Sequence, residues 1–450
     1  MFGISVLAPR VISCLLILAG GMLAQTPTVR AVSVPPNDAP ELAARGMYAV
    51  GVRTVEIVHR EQLDILNLDQ QTHKAPKSDR HLTIEIWYPA LIGPNEPEAT
   101  TYEMPLPGQN AAAIKIADQA VRNATPASGK RFPLVVVSHG YPGSRYFMTY
   151  LTANLASKGY VVAAIDHTDS VFGNVRGFES TLLNRSSDQL FTIHSVSELA
   201  KEENNFLNGI VDADNAAVVG YSMGGYGALI TAGAGLSASN PLLKRFGAEN
   251  FQDWTAASST FQQMDRSAVK AVVAIAPWGN QPPNNAWDVQ GLAGIRIPTL
   301  FIAGDHDDVS DYEKGIHPAF VSAVNSERCL LTYENALHNS GGNPAPAGVP
   351  LAFGAMQAFE EPVWAKDRIT GINQHFITAF LDLILKKDDS KRDYLRVSPA
   401  HSNDGKWVAA PGAPETFSTG KDATGNLYWK GFRKRWALGL EMSCLAATPK

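Results

Sequence analysis

Cysteine is scarce. Three occur in 450 residues, too few for a disulfide-built scaffold or a cysteine-rich metal module. Cys14 falls inside an N-terminal apolar run, so Cys329 and Cys444 remain as a pair that either bridges in an oxidising compartment or stays as two thiols. An excess of either charge is also missing. Lys and Arg number 38 against 43 Asp and Glu, a formal net charge of −5. No basic run points to nucleic acid, and no acidic tail points to a solvating arm. Beyond the N-terminus no apolar run is long enough to cross a bilayer, so no stable membrane span is expected once that segment is gone. No internal repeat is visible, which sets aside repeat architectures.

What is present begins with Arg10, an uncharged apolar stretch at 11–24, and polar Gln25. This pattern predicts a signal peptide over residues 1–24, with Ala24 or Ala31 at the cleavage position, and hence a secreted or periplasmic protein. The stretch is short for a membrane anchor, and Cys14 lies at its wrong end for a lipoprotein. Residues 25–45 are rich in Pro, Ala and Val without periodicity and read as a linker. A catalytic domain is expected over 46–390. Residues 391–450, rich in Gly, Pro and Trp, read as an extension packed on the core, ordered chiefly over 428–440.

Two early segments, 52–59 and 81–88, alternate at period two and predict a half-buried antiparallel pair. The pattern then changes. Short, nearly continuous apolar runs appear at 134–137, 160–165, 216–219, 271–275, 299–303 and 329–333. Strands covered on both faces by helices look like this. Helices are expected at 146–157, 224–234 and 367–387, the last with Ile369, Ile372, Phe376, Ala379, Phe380 and Leu383 on one stripe. The fold class is therefore α/β: a mostly parallel sheet with antiparallel N-terminal strands and helices on both faces. Residues 238–266, carrying Phe246, Phe251, Trp254 and Phe261, form an insertion that is either a cap near the site or an extra surface helix.

The strongest chemical signal is Gly220-Tyr221-Ser222-Met223-Gly224 between a strand and a helix. A nucleophilic serine must be lifted from the backbone by a sharp turn, and that turn needs small residues two before and two after it. Ser222 is the candidate nucleophile. The oxyanion of a tetrahedral intermediate needs two backbone N–H donors. Met223, after the serine, and Tyr141, in Ser138-His139-Gly140-Tyr141-Pro142-Gly143, are the candidates. His139 is expected to prop that loop and not to act as a base. The strand at 299–303 runs into Gly304-Asp305-His306-Asp307-Asp308, which puts carboxylates at a strand's carboxyl end. Asp307 is the preferred orienting acid, with Asp305 and Asp308 as fallbacks. The spacing does not fit a calcium loop, and no metal is expected. His338, before Asn339-Ser340-Gly341-Gly342, is the candidate base, completing the order Ser, Asp, His. His375 reads as packing or surface, and His167, His194 and His317 have no comparable setting.

At these residues the chain resembles the α/β-hydrolase superfamily across about 45–390. It is similar to platelet-activating-factor acetylhydrolases and dienelactone-hydrolase-like proteins in Gly46-Met47-Tyr48-Ala49-Val50-Gly51-Val52-Arg53, Ile86-Trp87-Tyr88-Pro89-Ala90, Ser138-His139-Gly140 and the serine turn. It also resembles bacterial cutinases and polyester hydrolases in Tyr221-Ser222-Met223-Gly224-Gly225, Gly140-Tyr141, Leu155-Ala156-Ser157-Lys158-Gly159-Tyr160-Val161-Val162 and Ala276-Pro277-Trp278. The resemblance implies a serine carboxylic-ester hydrolase working through an acyl-enzyme on a small-molecule or lipid ester, with no cofactor. It also implies that Trp278 and Tyr141 line the substrate site; the plainer reading makes Trp278 a rim residue. The early loop, the insertion and the tail depart from compact cutinases and are expected to narrow the site. Alternatives are a polyester or cutin-type hydrolase, an acyltransferase or amidase on the same triad, and a non-catalytic binding protein on a hydrolase scaffold.

Overall fold

The structure is a computed structural model that describes residues 31–448 apart from 70, 73, 107–112, 347–350 and 408–415. The signal-peptide reading and Cys14 lie outside the described residues. The apolar runs become the interior of one mixed sheet. Its main strands in chain order are β1 (Ala49–Leu63), β2 (Lys77–Leu91), β3 (Phe132–Ser138), β4 (Val161–Asp166), β5 (Val211–Tyr221), β6 (Val269–Ile275), β7 (Thr299–Gly304), β8 (Arg328–Tyr333) and β9 (Leu440–Leu445). Across the sheet they run β9-β8-β7-β6-β5-β3-β4-β2-β1. Neighbours from β4 through β8 pair in parallel. β2 is antiparallel to both β1 and β4, and β9 is antiparallel to β8.

Four main helices cover the sheet: α1 (Thr149–Ser157), α2 (Phe178–Leu199), α3 (Met223–Thr231) and α4 (Lys366–Leu385). Alternate residues of the parallel strands feed two separate cores. Val135, Val137, Val162 and Val219 share one with Leu151 and Leu155 of α1 and with Ile372 and Phe376 of α4. Leu134, Val136, Val161 and Val218 share the other with Leu182 of α2 and Leu229 of α3. Both faces of the strands are therefore dry, which is why these segments read as unbroken apolar runs. The expected stripe on α4, from Ile369 to Leu383, is its buried face. This is the α/β-hydrolase fold.

Four features differ from the expectation. The described part of the presumed linker is packed: Ser33 and Ala43 are fully buried, and Asn154 of α1 donates to the carbonyl of each. The second half of the insertion packs away from the serine turn. Residues 253–254 and 264–269 line a cavity of about 580 Å³ with His59, Phe191, His194, Ala213 and Asp214. Asp214 lies eight residues before Ser222 along the same strand, about 26 Å away at strand rise. This half therefore flanks the opposite end of the sheet, with Phe251 and Phe261 buried in the core shared with α2 and α3. The tail goes beyond wrapping the core: it supplies the edge strand β9, locked by a disulfide between Cys329 and Cys444. Finally, the 22-residue helix α2 carries no clear apolar stripe, because Ser180, Thr181, Asn184, Arg185, Asp188, Gln189 and Thr192 are all on its buried side.

Candidate active site

Ser222 sits between the end of β5 and the first residue of α3, with φ 53° and ψ −114°. A non-glycine residue in this region is strained, and the strain projects its side chain out of the turn. The flanking glycines are required by contact. A Cβ on Gly220 would lie 2.1 Å from the Gly224 carbonyl oxygen, and one on Gly224 would lie 2.0 Å from the Ser138 carbonyl oxygen. The turn and the loop after β3 are thus pressed together.

Three strand ends converge here. His338 Nε2 lies 3.0 Å from Ser222 Oγ, and His338 Nδ1 lies 2.8 Å from Asp307 Oδ2 and 3.0 Å from Oδ1. Asp307 Oδ1 also accepts the amides of Val309 (3.0 Å) and Ser310 (2.7 Å), which fix the carboxylate. Exposure is 7% for Ser222, 5% for Asp307 and 8% for His338, so the row is sheltered yet reachable. Neither fallback acid has a hydrogen bond to His338. Asp305 accepts from the Asn335 amide and contacts His306, and Asp308 is exposed. The loop bearing His338 is clamped from outside: Asn339 donates to the carbonyls of Gln357 and Glu360, and Lys366 Nζ donates to the Asn339 carbonyl. Beneath it, the Tyr221 hydroxyl donates to the His338 carbonyl (3.4 Å). Burial pushes that phenol well above its usual range, so it stays a donor.

The loop after β3 passes beside the serine. A Cβ on Gly140 would lie 3.4 Å from Ser222 Cβ. Met223 is the first residue of α3, so its amide has no acceptor within the helix. His139 is fully enclosed. Its Nδ1 donates to the Gly140 carbonyl (2.7 Å) and its Nε2 accepts the His167 amide (3.3 Å), so it props the loop. Burial, then the nearby Arg185 charge, hold it well below the usual histidine range. His375 is packing: its Nδ1 accepts the Leu42 amide among the rings of Phe376, Tyr394 and Phe432. His167 requires a correction. It has a setting close to that of His338, with Nε2 2.8 Å from Ser138 Oγ and Nδ1 2.8 Å from Asp188 Oδ2.

The Trp278 amide donates to the Ser222 carbonyl (3.1 Å). Its ring meets Phe178 edge-on at 5.2 Å, and Phe178 in turn meets Tyr141 at 5.0 Å. Three partly buried rings thus form a row at the serine turn. Phe178, the first residue of α2, escaped the sequence reading, as did Arg185 and Asp188 on the same helix. The available signal was a pair of opposite charges three residues apart in the middle of the helix, between Glu179 and Glu198 at its ends. On the other side, a cavity of about 470 Å³ borders His338, lined by Val309, Leu337, Phe353, Met356 and Pro362 among others. Among the described residues, no cluster of three or more His, Cys, Asp or Glu is placed to hold a metal ion. No helix there is long and apolar enough to cross a membrane.

A PET hydrolase-like family model matches residues 118–262, a stretch that contains the loop after β3 and the serine turn but ends before Asp307 and His338. Cutinase est1 of Thermobifida alba is 25% identical over 214 residues, which cover 47% of this chain and 55% of that protein. Platelet-activating factor acetylhydrolase of Cavia porcellus is 28% identical over 81 residues, covering 18% of this chain and 19% of that one. The chain spans about half the length of the curated cutinases it matches. A solved ferulic acid esterase from Streptomyces cinnamoneus aligns with TM-score 0.48 and 22% identity over 78% of this chain and 94% of its own. The strand order of this chain is that of the α/β-hydrolase fold, and within that fold the chain is similar to the cutinases and to the PET hydrolase-like family model.

Proposed function

We propose that the protein hydrolyses carboxylic esters through an acyl-enzyme formed on Ser222. The observation that carries this reading is the unbroken row Ser222 Oγ, His338, Asp307, assembled from three separate strand ends. With Nδ1–H donating to Asp307, the His338 Nε2 lone pair faces the serine hydroxyl. Ser222 Oγ attacks the ester carbonyl carbon and its proton passes to Nε2. The amides of Tyr141 and Met223 stabilise the oxyanion. The bond to the alcohol breaks as Nε2 returns the proton to the leaving oxygen. Water then attacks the acyl carbon, gives its proton to Nε2, and the acid leaves as Ser222 recovers the proton. No cofactor enters this sequence.

The substrate is a small or lipid-like ester, with the row Tyr141, Phe178 and Trp278 as an apolar wall. A polyester or cutin-type substrate is the second reading, favoured by the PET hydrolase-like match. Export from the cytoplasm belongs to the proposal, supported by the disulfide, which persists in oxidising compartments. The test compares wild type and Ser222→Ala on p-nitrophenyl esters of graded acyl length, with a polyester film in parallel. A fluorophosphonate probe reads whether Ser222 is labelled. Undiminished hydrolysis by Ser222→Ala refutes the proposal.

A further inference from the structure

The buried face of α2 grips both halves of the site. Gln189 donates to the Gly224 carbonyl in the serine turn (3.0 Å). Arg185 donates through Nη1 to the His139 carbonyl (2.7 Å), and through Nη2 to Ser170 Oγ (2.8 Å) and, more distantly, to the Gly140 carbonyl (3.5 Å). The Gly140 carbonyl also accepts from His139 Nδ1 (2.7 Å). That carbonyl and the Tyr141 N–H belong to one peptide unit. Donors on the oxygen polarise the unit and make its N–H a stronger donor.

Arg185 is 1% exposed. Burial lowers its pKa to about 9, partly offset by Asp188, so it remains charged at neutral pH. Asp188 does not neutralise it by contact. Its carboxylate is taken by Arg80 (2.8 and 2.9 Å) and by His167 Nδ1. Burial, followed by the charge of Arg185, pulls His167 down to about 3, so it is neutral. It accepts from Ser138, the last residue of β3, and its amide holds His139. The row Ser138, His167, Asp188 mimics the first one, but Ser138 is fully buried and no ester reaches it. Its geometry serves the loop.

We infer that Arg185 is a positioning residue for ester hydrolysis, holding the loop peptides at Gly140 and Tyr141 and placing a fixed positive charge behind the Tyr141 amide. The inference rests on the proposed role of that amide in binding the oxyanion. Negative charge develops there only in the transition state, so the effect belongs in kcat and not in KM. Removing one oxyanion donor typically costs about 10²–10³ in kcat, and weakening one costs less.

The test uses the full chain with Arg185→Gln, which keeps a donor but loses the charge, and Arg185→Lys, which keeps the charge. Readouts are kcat and KM on p-nitrophenyl butyrate, the thermal midpoint, and affinity for an alkylboronic acid, which forms a tetrahedral adduct on the serine. Arg185→Gln is expected to lower kcat by about 10- to 100-fold with KM within threefold, and boronate affinity falls in parallel. Arg185→Lys recovers part of both. A kcat for Arg185→Gln within twofold of wild type overturns the inference. So does a loss that appears in KM and thermal midpoint with boronate affinity unchanged, as a merely structural role would give. If Arg185→Gln does not fold, the neutral, similarly long Arg185→Met decides: unchanged boronate affinity overturns the inference. An inactive wild type counts against the ester-hydrolase reading itself. An active wild type, a dead Ser222→Ala and a fully active Arg185→Gln sink only this inference.

Discussion

Removing the Cys329–Cys444 bridge is expected to destabilise the fold by up to about 5 kcal/mol. The two cysteines face each other across β8 and β9, and the bond closes a loop with a sequence separation of 115. In the chain-entropy treatment, that closure removes about 16 cal/mol/K from the unfolded ensemble, or ~5 kcal/mol at 25 °C. Unfolding entropy near 2.1 cal/mol/K per residue over 450 residues is ~0.95 kcal/mol/K, so the thermal midpoint falls by about 5 °C. β8 leads directly into the loop that carries His338, so activity is lost in the same transition as the edge strand. The assay is urea unfolding of a Cys329→Ser/Cys444→Ser variant beside wild type, followed by tryptophan fluorescence and residual esterase activity. A loss below about 1 kcal/mol refutes the reasoning, because β9 would then be held by its hydrogen bonds alone.

Three further outcomes are expected. In Asp307→Asn, the Val309 and Ser310 amides claim the amide oxygen and turn the NH₂ toward His338, which forces the wrong tautomer; kcat falls by about 10⁴ with the thermal midpoint little changed, read by steady-state kinetics and calorimetry. Gly224→Ala puts a methyl 2.0 Å from the Ser138 carbonyl, where only backbone is available to yield; a cost of about 1–3 kcal/mol in urea unfolding and loss of fluorophosphonate labelling are expected. His375 is lowered to about 3 by burial and then by Lys158. Its folded pKa lies below its unfolded value near 6.5, so the stability it contributes is present above pH 6.5 and is lost as pH falls toward 3. Between pH 7.5 and 5 this amounts to about 2 kcal/mol, measured as the difference in pH slope between wild type and His375→Gln in urea; equal slopes contradict it.

Much of this protein is set by local rules that act on sequence alone. Strands buried on both faces have no polar side, so β3 to β8 were legible as apolar runs, and α4 was legible from its stripe. The serine turn was legible because its strain needs glycine at 220 and 224. Carboxylates at a strand's carboxyl end pointed to Asp307, and the fold's usual order of serine, acid and histidine pointed to His338. What the tertiary structure decided are contacts between segments far apart in the chain. It joined the three side chains into one row, chose Asp307 over Asp305 by the amides at 309 and 310, and closed Cys329 on Cys444. It also placed the insertion's second half at the far end of the sheet. α2 is the sharpest case: its buried face is polar because it bonds the loop and turn backbones, so no apolar period exists to announce it. Burial of a charge such as Arg185 is decided by the partners that meet it, and those partners come together only in the folded chain.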